Sequence, residues 1–565
     1  VITLVPAVVL VWSAVVLVPL ALAAPRRGAA AAERPAPRSP ALALARRLVW
    51  PASALLAGAA VMTPGRVAAL CAVPWLVVCG LIASAGLARL LRRGWAPIEE
   101  LAIDAGFVYL AMGGAWALAW RAGWQVLGFA PAWALLTAAH FHVAGFTLPV
   151  VAGLLGRSRV GDDGQLPRPL RWALAGILLA VPLTAAGIAW SRHLEVCAAL
   201  LLSTATLVVA WSCVVTAGGR TGAARLLTRV SGVALVLTMP LAANYALRVY
   251  GMVDWTIALG AGSLDELELM ALSHGVLNAV GFAGAGLLAA WLAPAAGRHR
   301  DGVPFSALAT RGRVGAGVFV RQHRERSATA HGLVDRLDDL GHTDFDPARV
   351  APPIRAFYEH TDAHRLRVVP RWRFGFRLGA RLWSRIGRRL DQLQLPVAAE
   401  TGGENVITRI VALDDAADTR PGARAWIRTY GDGRAMYVAA YAVHRCDGIA
   451  YMNIAFPLPR ANLASILRMD SMPGDDSGDA IVLTTVNQQR GVGDAGIWLV
   501  TTPGPRALPL ALPMNETICV WTPAMPGAPN DLAALATSGT TCIARHELRL
   551  FGIRYLTLDY VIEPG

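Results

Sequence analysis

The sequence contains no lysine, so its 52 basic residues are all arginine. It is poor in charge overall: 16 % of its 565 residues are charged, against about 25 % in a soluble globular chain. The deficit is concentrated in the first 295 residues. That excludes a wholly soluble protein and predicts a polytopic membrane part joined to a soluble part. Cysteine is scarce, seven in all, and no CxxC spacing occurs. Zinc ribbons and dithiol redox pairs are therefore not indicated, and the odd, scattered set reads as free thiols in a reducing compartment. Also missing are a Ser-His-Asp order, a phosphate-binding glycine loop and a dinucleotide fingerprint. The net charge of +14 invites a nucleic-acid partner. The arginines instead cluster in loops between apolar segments, the pattern that membrane orientation produces, so no nucleic acid is expected. Arginine without lysine, beside abundant Ala, Gly and Pro, is the composition of a GC-rich bacterial genome.

What is present is a series of long apolar runs. Nine reach the roughly 20 residues needed to cross a hydrocarbon core. They fall near 2–24, 47–63, 66–90, 98–121, 129–156, 170–190, 194–217, 228–249 and 267–293. The first ends in Ala21-Leu-Ala23-Ala24, similar to a signal-peptidase site, but it lacks a basic n-region and reads as an uncleaved span. Arginine-rich loops follow spans one, three, five, seven and nine: Arg26 to Arg47, Arg89 to Arg93, Arg157 to Arg171, Arg220 to Arg229, and Arg298 onward. The positive-inside rule then predicts a bacterial inner-membrane protein with its N-terminus outside and its C-terminal domain in the cytoplasm. Residues 251–266 read as an ordinary outer loop.

Three regions are expected: a helical membrane domain over 1–297, a polar helical linker over 298–398, and a β-rich soluble domain over 399–565. Within the linker, Pro370 to Leu390 interleaves arginine with aromatics. Arg371, Trp372, Arg373, Phe374, Phe376, Arg377, Arg381, Trp383 and Arg385 are candidates for the surface of the bilayer and its anionic head groups, each arginine worth about 1 kcal/mol there. From residue 400 the periodicity becomes two, in runs such as Val406–Val411, Ala425–Tyr430 and Ala435–Tyr441, with Gly431-Asp432-Gly433 as a hairpin turn. An antiparallel sandwich or barrel fits equally well.

Candidate chemistry lies in the spans. His140 and His142 interrupt the fifth and His274 the ninth, with Asn278 one turn from His274. An intramembrane ionisable residue is a functional-site hypothesis by default. Residues two apart on a helix point about 200° apart, so His140 and His142 serve different faces. His274 with one of them would suit a haem or a transition-metal ion. Hydrogen bonding across close-packed helices is the alternative. Asp104, one turn inside Glu100, is a candidate proton relay or arginine partner, while Glu99 and Glu100 suit the helix dipole. Asn244 and Tyr245 are candidates to line the same interior. Glu359 and His360 read as docking residues, and Asn453, Asn515 and Glu516 as turn caps. The functional hypotheses are thus an intramembrane histidine site for metal, haem or proton-coupled chemistry, a non-enzymatic sensor or lipid-binding protein using the β domain, and a proton-coupled transporter using Asp104. Beyond the lipid bilayer, the sequence does not identify protein partners.

Several of these pieces occur in a particular order: His140-Phe-His142 with Gly145-Phe146, His274-Gly275 with Asn278-Ala279 and Gly281-Phe282, Phe357-Tyr358-Glu359-His360-Thr361, Met452-Asn453 to Pro459, and Pro513-Met514-Asn515-Glu516-Thr517. From about residue 95 to the C-terminus the chain resembles the YndJ-like family of bacterial membrane proteins. That family has no established activity, so the resemblance implies architecture and origin rather than chemistry. Ala139-His140-Phe141-His142 is also similar to a span of haem–copper oxidase catalytic subunits, but the His-Pro-Glu-containing copper span is missing here.

Overall fold

The computed structural model describes residues 3–30, 39–161, 165–249, 251, 270–295, 297, 303–322, 324–325, 329–395, 397, 403–416, 418–486, 493–501 and 507–565. Most of the loop expected at 251–266, and Arg298, lie outside them. The chain divides into two compact units, one essentially residues 1–301 and the other essentially 302–565.

In the first unit, nine helices among the described residues are long and apolar enough to span a membrane: Leu4–Ala24, Pro40–Val61, Arg66–Arg93, Ile98–Ala122, Pro131–Arg157, Arg168–Trp190, Arg192–Gly218, Gly222–Arg248 and Ala271–Leu292. They are called spans 1 to 9. Span 2 starts well before the expected residue 47, because Ser39 caps it by accepting a bond from the Leu42 amide and Pro40 suits its first turn. Span 5 is the most enclosed, with 78 % of its apolar window buried. Glycines let its neighbours approach. A Cβ at Gly106 of span 4 would lie 2.8 Å from the Phe146 carbonyl oxygen, and one at Gly153 would lie 2.4 Å from the Glu99 carbonyl oxygen. Small residues at such interfaces substitute for a hydrophobic driving force that lipid does not provide.

Spans 1, 5 and 9 each widen into π-helix, at Ser13–Leu17, Phe141–Thr147, and Ala271–Gly275 with Leu277–Gly284. These stretches pack against one another. In span 5 the cause is local: Pro149 has no N–H to offer Gly145, and the widened turn upstream absorbs the misfit. Neighbours bond the carbonyls of the widened turns. The Trp12 indole donates to Ala279 O at 3.2 Å, Ser231 Oγ to Phe282 O at 3.0 Å, and Thr147 Oγ1 to His142 O at 2.8 Å.

The second unit settles the choice between sandwich and barrel. Twelve antiparallel strands run β1 (His364–Trp372), β2 (Glu404–Ala412), β3 (Arg424–Tyr430), β4 (Ala435–Cys446), β5 (Ile449–Leu458), β6 (Ala461–Asp475), β7 (Gly478–Thr484), β8 (Gly496–Thr501), β9 (Leu508–Ala511), β10 (Met514–Trp521), β11 (Cys542–Leu550) and β12 (Ile553–Pro564). The sheet order is 5-4-3-2-1-12-11-10-7-6-8-9, and β5 also pairs with β6. Ten strands therefore close into a barrel, and β8 and β9 extend from β6. Gly433, with φ 82°, completes the expected β3–β4 turn by bonding its amide to Tyr430 O at 2.9 Å.

The expected helical linker is corrected in part. Residues 364–372 are β1, hydrogen-bonded between β12 and β2. The strand was hidden by charge: Arg365 and Arg367 alternate with the buried Leu366 and Val368. A short helix, Pro352–Glu359, packs Ile354, Phe357 and Tyr358 into the barrel core from one end. Residues 303–319 strap the outer face of the barrel, placing Leu308, Val314, Val318 and Phe319 over Ile427, Val438 and Ala440. A buried Arg420–Asp418 ion pair at 2.6 Å fastens this strap, since Asp418 also accepts from Ser306 Oγ and Arg420 donates to Asn453.

Candidate functional site

The histidines do not form a common ligand set. His142 is fully buried, and both its ring nitrogens are engaged. Trp75 Nε1 of span 3 donates to Nε2 at 3.0 Å, so Nδ1 carries the proton and donates to Ala138 O at 2.7 Å. The ring lies in a cradle that only glycine leaves open: a Cβ at Gly113 would be 2.7 Å from Nδ1. His142 is thus a cross-helix hydrogen-bonding residue. His140 faces outward from its span and bonds Leu136 O at 2.9 Å. His274 is half-buried beside span 8, with Nδ1 donating to Thr238 O at 3.2 Å. Asn278 donates to the His274 carbonyl at 2.8 Å and accepts from Thr238 Oγ1 at 3.0 Å. Asn244 and Tyr245 are half-buried further along span 8. No group of three or more His, Cys, Asp or Glu that could hold a metal occurs among the described residues.

The intramembrane acids do assemble. Asp104 pairs with Arg93 at 2.6 Å and Arg89 at 3.1 Å. Glu100 takes the fork of Arg157 at 2.6 and 2.7 Å and also pairs with Arg89 at 2.9 Å. The expectation of an arginine partner for Asp104 is met. Glu100 does more than complement a helix dipole: it joins spans 3, 4 and 5. Arg89, Arg93 and Arg157 read as loop charges because their partners lie elsewhere in the chain. In this cluster the carboxylates are committed to guanidinium groups, an arrangement suited to clamping helices.

The barrel interior holds residues that sequence reasoning missed. Arg428 on β3 is 7 % exposed and sits between two rings, 3.9 Å from the Trp426 centroid and 4.4 Å from that of Tyr437. Its Nη2 reaches Tyr441 OH at 3.5 Å, and Nε has no partner. Among the described residues no carboxylate lies within ion-pair distance of it. Nearby, Glu516 on β10 accepts from Ser465 Oγ and bonds His546 Nε2 at 2.6 Å. It is therefore an interior group and not a turn cap. Burial pushes its carboxyl up, but the His546 and Ser465 bonds and the charge of Arg428 outweigh that and hold it below the usual range. Asn453 likewise is a strand residue, bonded to Arg420. Burial pushes Tyr437 and Tyr441 up and Tyr560 up to about 12, so their hydroxyls remain neutral donors. The period-2 alternation Trp426, Arg428, Tyr430 would have placed all three on one face.

The basic aromatic segment divides in two. Arg371 is tied to Asp531 at 2.6 Å and Asp559 at 2.8 Å. Trp372 and Phe376 pack on Tyr555, and Trp383 donates to Leu393 O at 3.0 Å. These four therefore serve the barrel, against the expectation of a surface role. The remainder is freely presented. Helix Arg377–Leu390 and the residues before it expose Phe374 (88 %), Leu378 (78 %), Leu382 (60 %) and Ile386 (42 %) at a spacing of four. Arg373, Arg377, Arg381, Arg385, Arg388 and Arg389 are exposed beside them.

The profile of the family described as YndJ-like protein matches residues 8–282, beginning well before the expected residue 95. The "Uncharacterized membrane protein YndJ" of Bacillus subtilis (strain 168) is 30 % identical over 466 residues, which cover 82 % of this chain and 78 % of that protein. No solved structure matches.

Proposed function

Starting from the fact that the chain belongs to the YndJ-like family of multi-pass membrane proteins, we propose that it is a non-enzymatic lipid-binding or sensing protein whose barrel unit engages an anionic bilayer surface. The observation that carries this reading is the exposed apolar row Phe374, Leu378, Leu382 and Ile386 flanked by arginines. No acidic residue occurs between Ala363 and Leu390. Such a helix inserts its apolar row at the acyl boundary while the guanidinium groups meet anionic head groups. The arginine bias of the odd-numbered loops supports the bacterial inner membrane, with the N-terminus outside and the barrel in the cytoplasm. That side carries the negative leaflet that attracts arginine. The intramembrane histidines receive less support as a metal or haem site, since His142 has both nitrogens engaged.

The test uses the full chain in nanodiscs. Trypsin cleavage after Arg377, Arg381 and Arg385 is timed in discs of phosphatidylglycerol and in discs of phosphatidylcholine alone. Docking slows cleavage at these sites in the anionic discs. The triple variant R377Q/R381Q/R385Q, cleaved instead after Arg388, loses about 3 kcal/mol of attraction and most of the protection. Added salt does the same, because screening shortens to about 3 Å at 1 M. Equal cleavage in the two lipids refutes the reading.

A further inference from the structure

We infer that the barrel interior is a binding site for an oxyanion, the carboxylate or phosphate head of an amphiphile, with Arg428 as its cation and Trp426 Nε1 and Tyr560 OH as neutral donors. The inference deepens the lipid-binding reading and rests on it for the class of ligand.

Three buried polar groups carry the argument. Arg428 Nε, Trp426 Nε1 and Tyr560 OH all lack hydrogen-bond partners, and their residues are 7 %, 6 % and 6 % exposed. They lie on inward-facing positions of β3 and β12: Arg428 stacks on Trp426 and is within electrostatic reach of Tyr560. Buried polar groups in native proteins are nearly all paired, so three orphaned donors in one interior need an acceptor. All three are N–H or O–H groups, and the guanidinium adds a positive charge. An oxyanion is the acceptor that satisfies this set.

The nearby carboxylate of Glu516 does not serve, because it is committed to His546 and Ser465. Two aromatic faces hold the guanidinium in position, an arrangement that prepays its ordering. Around this polar group the interior is apolar, with Leu366, Met452, Ile454 and Leu558 among its residues. Those apolar neighbours are compatible with an acyl chain, whereas they offer a free nucleotide or sugar few polar partners.

The position of the site connects it to the bilayer. The Pro352–Glu359 helix approaches the end marked by Trp426, through Phe357 at 6.2 Å between ring centroids. Two residues beyond Arg428, Tyr430 OH donates to Gln394 O at 2.7 Å, in the segment that follows the arginine helix. Arg428 thus lies about 7 Å, two strand residues, below the end of the barrel where that helix sits.

The experiment uses full-length protein in phosphatidylglycerol nanodiscs and a diazirine-bearing palmitic acid, with cross-links mapped by peptide mass spectrometry. Cross-links are expected on inward-facing residues of β3, β4 and β12. Tyr560→Phe and Trp426→Phe each remove one donor while keeping the ring, so both are expected to fold. Each should reduce interior labelling about tenfold, the value of one hydrogen bond to a charged group. Arg428→Gln should abolish it. If millimolar inorganic phosphate suppresses the label, the head group alone is recognised. If phosphate leaves the label unchanged, the amphiphile as a whole is the ligand. Either result supports the oxyanion site. Labelling restricted to the spans or the outer surface overturns it, as does interior labelling unchanged in Y560F, W426F and R428Q. In R377Q/R381Q/R385Q, interior labelling that persists while trypsin protection is lost separates failure of docking from failure of the site.

Discussion

Arg157 offers a direct measure of how the membrane unit is held together. Its side chain is 1 % exposed, and that of Glu100 is 0 %. The pair makes two short parallel bonds, 2.6 and 2.7 Å, across 57 positions of sequence. Removing one partner of a buried pair costs about 3–5 kcal/mol, because the other charge is left without compensation. For Arg157→Ala the lower end, about 3 kcal/mol, is expected, since Arg89 still contacts Glu100 at 2.9 Å. For Glu100→Gln the upper end, about 5 kcal/mol, is expected, because Arg157 and Arg89 both lose it as an ion-pair partner. The double variant R157M/E100L removes both charges and keeps side-chain volume. It should cost clearly less than the sum of the singles, leaving a coupling of about 2 kcal/mol or more. Arg157→Lys keeps the charge without the fork and should fall between wild type and alanine. The assay is equilibrium unfolding of the full chain in mixed micelles by dodecyl sulfate, followed by far-UV circular dichroism. If the single variants each cost under about 1 kcal/mol, the pair behaves as a solvated surface pair and the reasoning fails. Strict additivity of the two would refute it as well.

Gly113→Ala should destabilise the membrane unit by about 1–3 kcal/mol, the usual cost of overpacking. Its Cβ would press on His142 Nδ1 from 2.7 Å, and the same micelle titration reads the effect; a neutral outcome would mean that the Trp75–His142 contact has room to shift. The barrel should lose stability on acidification through Asp531, which bonds to Arg545 and Arg371 draw down from the ordinary 3.8 to about 2. A depressed folded pKa means that the contribution is complete above the unfolded value and is lost as pH falls through the folded one. Thermal melts between pH 4 and pH 2 should therefore fall more steeply for wild type than for Asp531→Asn, and parallel slopes would contradict the assignment.

The sequence by itself determined what depends on each segment's own partition between water, lipid and protein. Apolar length marked the nine spans, loop arginines predicted their orientation, and period-2 alternation with Gly431-Asp432-Gly433 marked the β domain. Asp104, too polar for its depth, read as either a proton relay or a partner for an arginine. Even there local patterning could mislead: β1 carries three arginines, Arg365, Arg367 and Arg371, on its outward positions, so it read as part of a basic linker. What only the tertiary structure decided were distances between residues far apart in the chain. Closure of the barrel required β5 to pair with both β4 and β6, and no local pattern separates that from a sandwich. His142 looked like a ligand until Trp75, 67 positions away, was found at its free nitrogen. Arg428 drew no notice in the sequence, because alternation shows that residues share a face but not whether that face is lined by carboxylates or by aromatic rings. A charge reveals its cost in the sequence, whereas its compensation is set by whichever strand or helix the fold brings opposite it.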